Sequence, residues 1–287
     1  MADSVTLVEV GPRDGLQNEN AEIATADKLA LIGKLADAGL SRIEATAFVS
    51  PRWVPQMADH DAVMRGVDRR PGVTYSALVP NEKGAEAALA AGAQALAVFT
   101  AASESFCRKN TNCSITESIE RFRPVMALAD RAGMPVRGYV SCALDCPYEG
   151  PIAPEAVAAV TAELLALGCN EIALSDTLGR GTPKRTAAMV EAALRRAPAA
   201  MLAGHFHDTS GRAIANVAAA WELGLRVFDG SVGGLGGCPY APGATGNLAT
   251  ERLVAHFEAR GIATGIDRAR LEATAAWIAG RRAAAAR

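Results

Sequence analysis

No hydrophobic run in the sequence approaches the roughly 18 residues that a membrane-spanning helix needs, so no membrane partner is expected. Basic blocks are also missing. Lys and Arg number 29 against 31 Asp and Glu, and a net charge of −2 argues against a general polyanion-binding surface, which removes nucleic acid as a partner. Six cysteines (Cys107, Cys113, Cys142, Cys146, Cys169 and Cys238) lack zinc-type pairing, and Cys142-x-x-x-Cys146 alone is a weak signal. In a reducing compartment all six are expected as thiols, most of them filling space. The opening Met1-Ala2-Asp3-Ser4 passes straight into a strand pattern, leaving no room for a signal or transit peptide, so a cytoplasmic location is expected. No linker or shift in composition divides the chain, so residues 1–287 read as one domain.

Against these absences stands a chain that is 50% hydrophobic, enough to fill a large core. Short apolar or β-branched runs recur at Ser4–Val10, Arg42–Phe48, Val73–Val79, Ala95–Ala101, Val136–Cys142, Glu171–Thr177, Leu202–Asp208 and Arg226–Val232, as strands buried on both faces do. Helical patterns lie between them. Thr25 is placed to cap a helix that stops at Gly39, and Asn81 to cap one that stops near Gly92. Others fit Ser114–Ala132, Pro154–Leu167, Pro183–Arg196, Arg212–Leu223, Leu248–Arg260 and a stretch from Asp267 into the tail. Alternation of this kind predicts an α/β fold, a (β/α)8 TIM barrel with a short C-terminal helical extension. A doubly wound open sheet is the alternative, but the first strand ends in Gly11-Pro12-Arg13-Asp14-Gly15 and not in GxGxxG.

A barrel of this type gathers its chemistry at the carboxyl ends of its strands. Arg13 and Asp14 follow the first strand, Glu44 lies in the second, Lys109 and Asn110 follow the fourth, and Asp176 and Thr177 end the sixth. His205 and His207, at i and i+2 in the seventh, leave the same face. Two imidazoles with Asp14 and Asn247 as oxygen donors suit an octahedral Mg2+ or Mn2+ with open positions better than a closed zinc site. Each residue also has a plainer reading. His-x-His can be a satisfied core pair, Asp14 a turn residue, Asp176-Thr177 a cap, and Glu44 a buried partner of Arg13. The last strand runs into a segment with Gly230, Gly233, Gly234, Gly236, Gly237, Gly243 and Gly246 around Cys238 and Asn247. Glycine this dense is expected where backbone takes positive φ, approaches a ligand or closes as a lid. Trp53, Trp221 and Trp277 read as packing, and His60 and His256 as ordinary surface or helix residues.

Several stretches together resemble the hydroxymethylglutaryl-CoA lyases. They are Val8-Glu9-Val10-Gly11-Pro12-Arg13-Asp14-Gly15-Leu16-Gln17-Asn18-Glu19, the run from Phe48-Val49-Ser50-Pro51 through Trp53 to Asp59, and Tyr139-Val140-Ser141-Cys142-Ala143-Leu144. Gly234-Leu235-Gly236-Gly237-Cys238-Pro239-Tyr240 and Gly246-Asn247-Leu248-Ala249-Thr250-Glu251 complete the likeness, which covers nearly the whole chain; the cysteine loop is its most specific part. The resemblance implies metal-dependent retro-Claisen cleavage of 3-hydroxy-3-methylglutaryl-CoA to acetyl-CoA and acetoacetate, a step of leucine degradation. It further implies Asp14, His205, His207 and Asn247 as metal ligands, Arg13 at the enolate oxygen, and Cys238 in acid/base work. Glu44, Gln17, Asp176 and Glu251 match acidic or polar positions around the site.

The proton acceptor for the alcohol stays open among His205, Asp14 and Cys238. Lys109 and Asn110 are expected to contact the CoA nucleotide from a loop before Ser114, beside a helix amino terminus. Barrels of this kind associate through outer helices, so a homo-oligomer, dimer or higher, is expected. The family pattern would place serine at Ala47 and Ala173, glycine at Ser175 and an aromatic at Ser210, and these departures raise a longer 3-hydroxy-3-alkylglutaryl-CoA as an alternative substrate. An acyl-CoA/2-oxo acid condensing enzyme and a catalytically silent barrel that binds a CoA ester are the other readings.

Overall fold

The structure is a computed structural model that describes residues 4–19, 21–236 and 246–286. Eight parallel strands form a closed barrel: β1 (Thr6–Glu9), β2 (Arg42–Ala47), β3 (Thr74–Leu78), β4 (Ala95–Ala101), β5 (Val136–Ser141), β6 (Glu171–Asp176), β7 (Leu202–Phe206) and β8 (Val227–Gly230). Neighbours in sequence are neighbours in the sheet, and β1 pairs with β8 in the register Thr6 to Val227 through Glu9 to Gly230. Burial on both faces explains the near-continuous apolar runs; β7 is buried along its whole length between its helices and the barrel interior.

The helices are α1 (Thr25–Asp37), α2 (His60–Gly66), α3 (Glu82–Ala90), α4 (Glu104–Thr111), α5 (Ile115–Arg131), α6 (Pro154–Leu167), α7 (Pro183–Leu194), α8 (Ala213–Glu222), α9 (Thr250–Glu258) and α10 (Arg268–Ala285). Asn81 caps α3 as expected, its side chain accepting from Gly84 N at 3.0 Å, and Ser114 with Glu117 forms a capping box on α5. Thr25 does not cap. Ala24 occupies that position, and the Thr25 hydroxyl donates at 2.7 Å to Asp59, which also pairs with the buried Lys28. The carboxylate outcompetes the backbone for that hydroxyl.

Two helices exceed the sequence-based expectation. In α2, Val63 and Met64 are buried. In α4, Ser103 accepts from Phe106 N at 3.1 Å, Phe106 and Cys107 are buried, and Asn112 ends the helix in the left-handed conformation, φ 53°. Lys109 and Asn110 therefore ride on the last turn of a helix. The tail helix α10 buries Leu271, Thr274 and Ile278 against α1 and the turn at Val232–Gly234.

The five described cysteines are buried, and four of them gather with Ala101 and Phe106 in one small cluster. Among the described residues, no helix is long and apolar enough to cross a membrane.

Candidate active site

A cleft of about 760 Å3 opens at the carboxyl rim of the barrel, with His205, His207, Asp14 and Arg13 at its inner end. The chain after β1 makes this possible. It turns at once into a π-helical turn, Gly11–Gly15, in which Val10 O accepts from both Arg13 N and Gly15 N, so the side chains of residues 13 and 14 swing over the barrel. A Cβ on Gly15 would stand 2.7 Å from that of Leu235, so only glycine lets this turn meet the root of the loop after β8. Glu9, fully buried, ties the same region together: it accepts from Gly11 N at 2.8 Å, Val232 N at 2.9 Å and the Thr250 hydroxyl at 2.7 Å. Burial pushes its carboxyl up to about 8 against the pull of those three donors.

Beneath the cleft runs a connected set of buried polar side chains. Arg137 on β5 donates to both oxygens of Asp229 on β8, at 3.0 and 2.7 Å, and to the Tyr139 hydroxyl at 3.0 Å. Tyr139 in turn donates to Glu44 at 3.1 Å, and Glu44 accepts from Arg13 Nε. Arg13 Nη1 reaches Asp14 at 2.5 Å, and Asn247 donates to Asp14 at 2.7 Å. Burial would lower Arg13, but Glu44 and then Asp14 outweigh it and hold the guanidinium charged. Burial likewise opposes ionisation of Asp14, and Arg13, His205 and His207 overcome it, holding that carboxyl well below its ordinary range. Tyr139 is pushed well up by burial, so it stays a donor.

His205 and His207 share a face, ring centroids 5.3 Å apart, although β7 ends at Phe206. The Asp229 carboxylate is 3.0 Å from His205 Nδ1, which leaves Nε2 for the cleft. The Nδ1 of His207 is buried without a hydrogen-bond partner among the described residues, and burial followed by His205 lowers this imidazole to about 4, keeping it neutral. Donor atoms of Asp14, His205 and His207 lie within 4.8 Å of one another, the one such group of His, Cys, Asp and Glu among the described residues. Two imidazoles and a carboxylate fit a divalent ion. Asn247 is held beside them by a backbone bridge to His207, but its amide nitrogen faces Asp14, so it joins the donors only with the amide turned round.

The remaining candidates divide. Gln17, Lys109, Asn110 and Thr177 line the cleft. Glu44 does not line it and instead fixes Arg13. Asp176 accepts from Arg180 N and Gly181 N, at 3.3 and 2.8 Å, holding the turn after β6, and burial raises it to about 6. Glu251 accepts from Gly233 N at 2.9 Å and so braces the root of the glycine-rich segment, where Gly233, Gly234 and Gly236 have φ of 65°, 63° and 112°. Cys238 lies outside the described residues.

Of the four departures, Ser175 lines the cleft; Ala47 and Ala173 are fully buried and Ser210 sits in an exposed turn bonded to Gly179 O. Ala47, Ala173 and Ser210 are not among the residues that line the cleft, and Ser175 puts a hydroxymethyl group into its lining.

Arg137, Tyr139 and Asp229 went unassigned in the sequence, although a lone charge inside an apolar strand demands a buried partner. Trp53 does not pack, contrary to the sequence-based expectation. It is 87% exposed at the cleft mouth, whereas Trp221 is buried and Trp277 packs against the core.

The HMGL-like family matches residues 4–278. The hydroxymethylglutaryl-CoA lyase of Pseudomonas mevalonii is 58% identical over 272 residues, 95% of this chain and 89% of that protein. Among solved structures, the HMG-CoA lyase from Brucella melitensis superposes with a TM-score of 0.97 at 55% identity, over 98% of this chain and 100% of that one. An HMG-CoA lyase from Acinetobacter baumannii in complex with coenzyme A and 3-methylmalate gives a TM-score of 0.93 at 37% identity, over 98% of this chain and 92% of that one.

Proposed function

The chain belongs to the HMGL-like family, and from that premise we propose that it cleaves 3-hydroxy-3-methylglutaryl-CoA into acetyl-CoA and acetoacetate at the inner end of its cleft. The observation that carries this assignment is the meeting of Asp14, His205 and His207, with Arg13 held charged beside them. The relatives' names give no support to a longer 3-alkyl homologue or to a condensing reaction, and the hydroxymethyl group of Ser175 speaks against a wider pocket.

In the reaction the C2–C3 bond breaks, its electron pair moves into a thioester enolate, the hydroxyl loses its proton to leave a ketone, and C2 takes up a proton. Arg13 meets the charge that develops on the thioester oxygen. Glu44 and Asp14 fix its fork, so no reorganisation is needed as that charge appears. Asp14, His205, His207 and, with its amide turned round, Asn247 would hold a divalent ion, Mg2+ or Mn2+, which would supply Lewis acidity to the tertiary hydroxyl. His205 and Asp14 stand at the cleft floor as acceptors of the hydroxyl proton, with Cys238 as the third candidate. Cys238 is our candidate for returning a proton to the enolate carbon.

Gln17, Lys109, Asn110 and Thr177 contact the acyl-CoA along the cleft. Asp176 and Glu251 act at one remove, through the turns they hold. We read residues 1–287 as a single catalytic domain, working as a homo-oligomer in the cytoplasm.

The test is a cleavage assay on chelator-treated protein, with and without added Mg2+ or Mn2+, following acetoacetate and acetyl-CoA separately. Equal amounts of both, formed only with metal, are expected. A folded, metal-loaded protein that yields neither product would sink the assignment.

A further inference from the structure

We propose that Trp53 is the stacking platform for the adenine ring of the CoA thioester, with Lys109 and Arg121 receiving the phosphates next to it; this rests on the assignment of the cleft to an acyl-CoA. Among the described residues the exposed large hydrophobic side chains are Trp53, at 87%, and Tyr148, at 42%. Both belong to the same mouth. Trp53 lines it, and the ring of Tyr148 lies under the ammonium group of Lys109, 4.8 Å away, which lines it too.

The exposure of Trp53 is not that of a loose loop. Trp53 N and Val54 N both donate to Ser50 O, at 3.0 and 3.1 Å, and Pro51 and Pro55 restrict the backbone on either side. Just beyond, Gln56 and Met57 are buried, and Gln56 clamps the neighbouring segment by donating to Ala21 O at 2.9 Å and accepting from Ile23 N at 3.2 Å. A turn this well anchored holds a large indole in water, where the other two tryptophans are packed away. The flat face it offers suits any nucleobase.

Charge points to the same ligand. The cleft lining carries Arg13, Lys109 and Arg121 as cations and Asp14 as its one carboxylate, and Asp14 belongs to the inner end. The lining thus combines metal-type donors with Asn110 and Thr111, two further cations and an exposed aromatic ring. An acyl-CoA offers a matching set of groups: acyl group, amide-rich pantetheine, phosphates and purine.

Two thioesters with the same acyl group separate this role from a structural one: the full CoA ester and the pantetheine ester that lacks the nucleotide. For Trp53→Ala, KM for the CoA ester is expected to rise roughly ten-fold, the loss of one base–aromatic stack, with Trp53→Phe restoring most of it. The pantetheine ester should show no such rise. Free CoA should quench tryptophan emission of the wild-type protein and leave that of Trp53→Phe unmoved. An equal KM rise for both esters, no rise for either, or a change of sedimentation in Trp53→Ala that marks Trp53 as a contact between copies would overturn the proposal. If the wild-type protein cleaved neither ester, the lyase assignment would fall, and the quenching comparison would still decide whether CoA stacks on Trp53.

Discussion

The two ends of the cleft are built on opposite plans. At the inner end each charged group is held by others: Arg13 by Glu44 and Asp14, His205 by Asp229, and Asp229 by Arg137, with Arg13, Glu44, Arg137, His205 and Asp229 all buried. At the mouth Trp53, Lys109, Asn110 and Arg121 are exposed. The difference separates two tasks. Charge that develops in a transition state is met most effectively by dipoles already fixed and kept from water. A nucleotide that stays the same throughout the reaction needs only to be held, and exposed stacking and phosphate contacts do that. Substitutions at the inner end should therefore lower kcat or stability, and those at the mouth should move KM.

The sharpest way to break this division is Arg13→Lys. Lysine keeps the charge but lacks the planar fork that Glu44 and Asp14 grip, so the cation no longer has a fixed place. A fall in kcat of roughly 100- to 1000-fold is expected, with KM little changed. Steady-state kinetics beside a melting curve checks it; an unchanged kcat would mean that position does not matter here.

Arg137→Met tests whether the layer beneath is structural. It removes the guanidinium that balances Asp229, leaving that carboxylate with His205, and leaves Glu171 with Arg42 alone; taking the counter-charge from a buried pair in this way costs about 3–5 kcal/mol. Urea unfolding should show that loss. Adding Asp229→Asn should recover part of it, because the uncompensated carboxylate is then gone.

Glu9 gives the comparison a pH signature. Its carboxyl is raised to about 8 in the folded protein from an ordinary value of 4.5, so the folded state holds the proton more tightly than the unfolded chain. The stability it contributes is complete below pH 4.5 and is lost as pH rises toward 8. Glu9→Gln keeps the acceptors for Gly11 N and Val232 N and cannot ionise. Its melting temperature should therefore fall less than that of the wild-type protein between pH 5 and 8, and parallel curves would remove Glu9 as the cause.

Much of the inner end was legible in the sequence because its parts sit at strand ends. An apolar run followed at once by Arg13-Asp14, or carrying His205 and His207 two apart, announces both the strand and the chemistry at its end. The mouth was harder to read. The polar stretch Arg108-Lys109-Asn110-Thr111 looks like loop, and only tertiary burial of Phe106 and Cys107 with the Ser103 cap makes it helix. Trp53 shows the converse failure, since composition makes tryptophan a core residue and nothing in the local sequence says that its turn points outward. Asp176 and Glu251 illustrate a third limit. Proximity to the site is readable, but whether a carboxylate faces the cleft or backbone amides depends on a turn geometry that spacing does not specify.

Ser175 is where the smallest effect is expected, and it lies on the boundary between the two plans. It pairs with His205 across β6 and β7, so both side chains leave the same face, and it lines the cleft with Thr177. A hydroxyl there can be replaced by water when it is removed, so Ser175→Gly leaves no buried group orphaned. One neutral hydrogen bond contributes about 0.5–1.5 kcal/mol, or roughly a two- to ten-fold change in kcat/KM for the hydroxymethylglutaryl ester. The same substitution removes a side chain from the lining next to His205, so longer 3-alkyl esters should gain relative to the methyl one. Measuring kcat/KM for both esters in both proteins checks this. An unchanged ratio between the esters would show that the alkyl group of the substrate does not rest against residue 175.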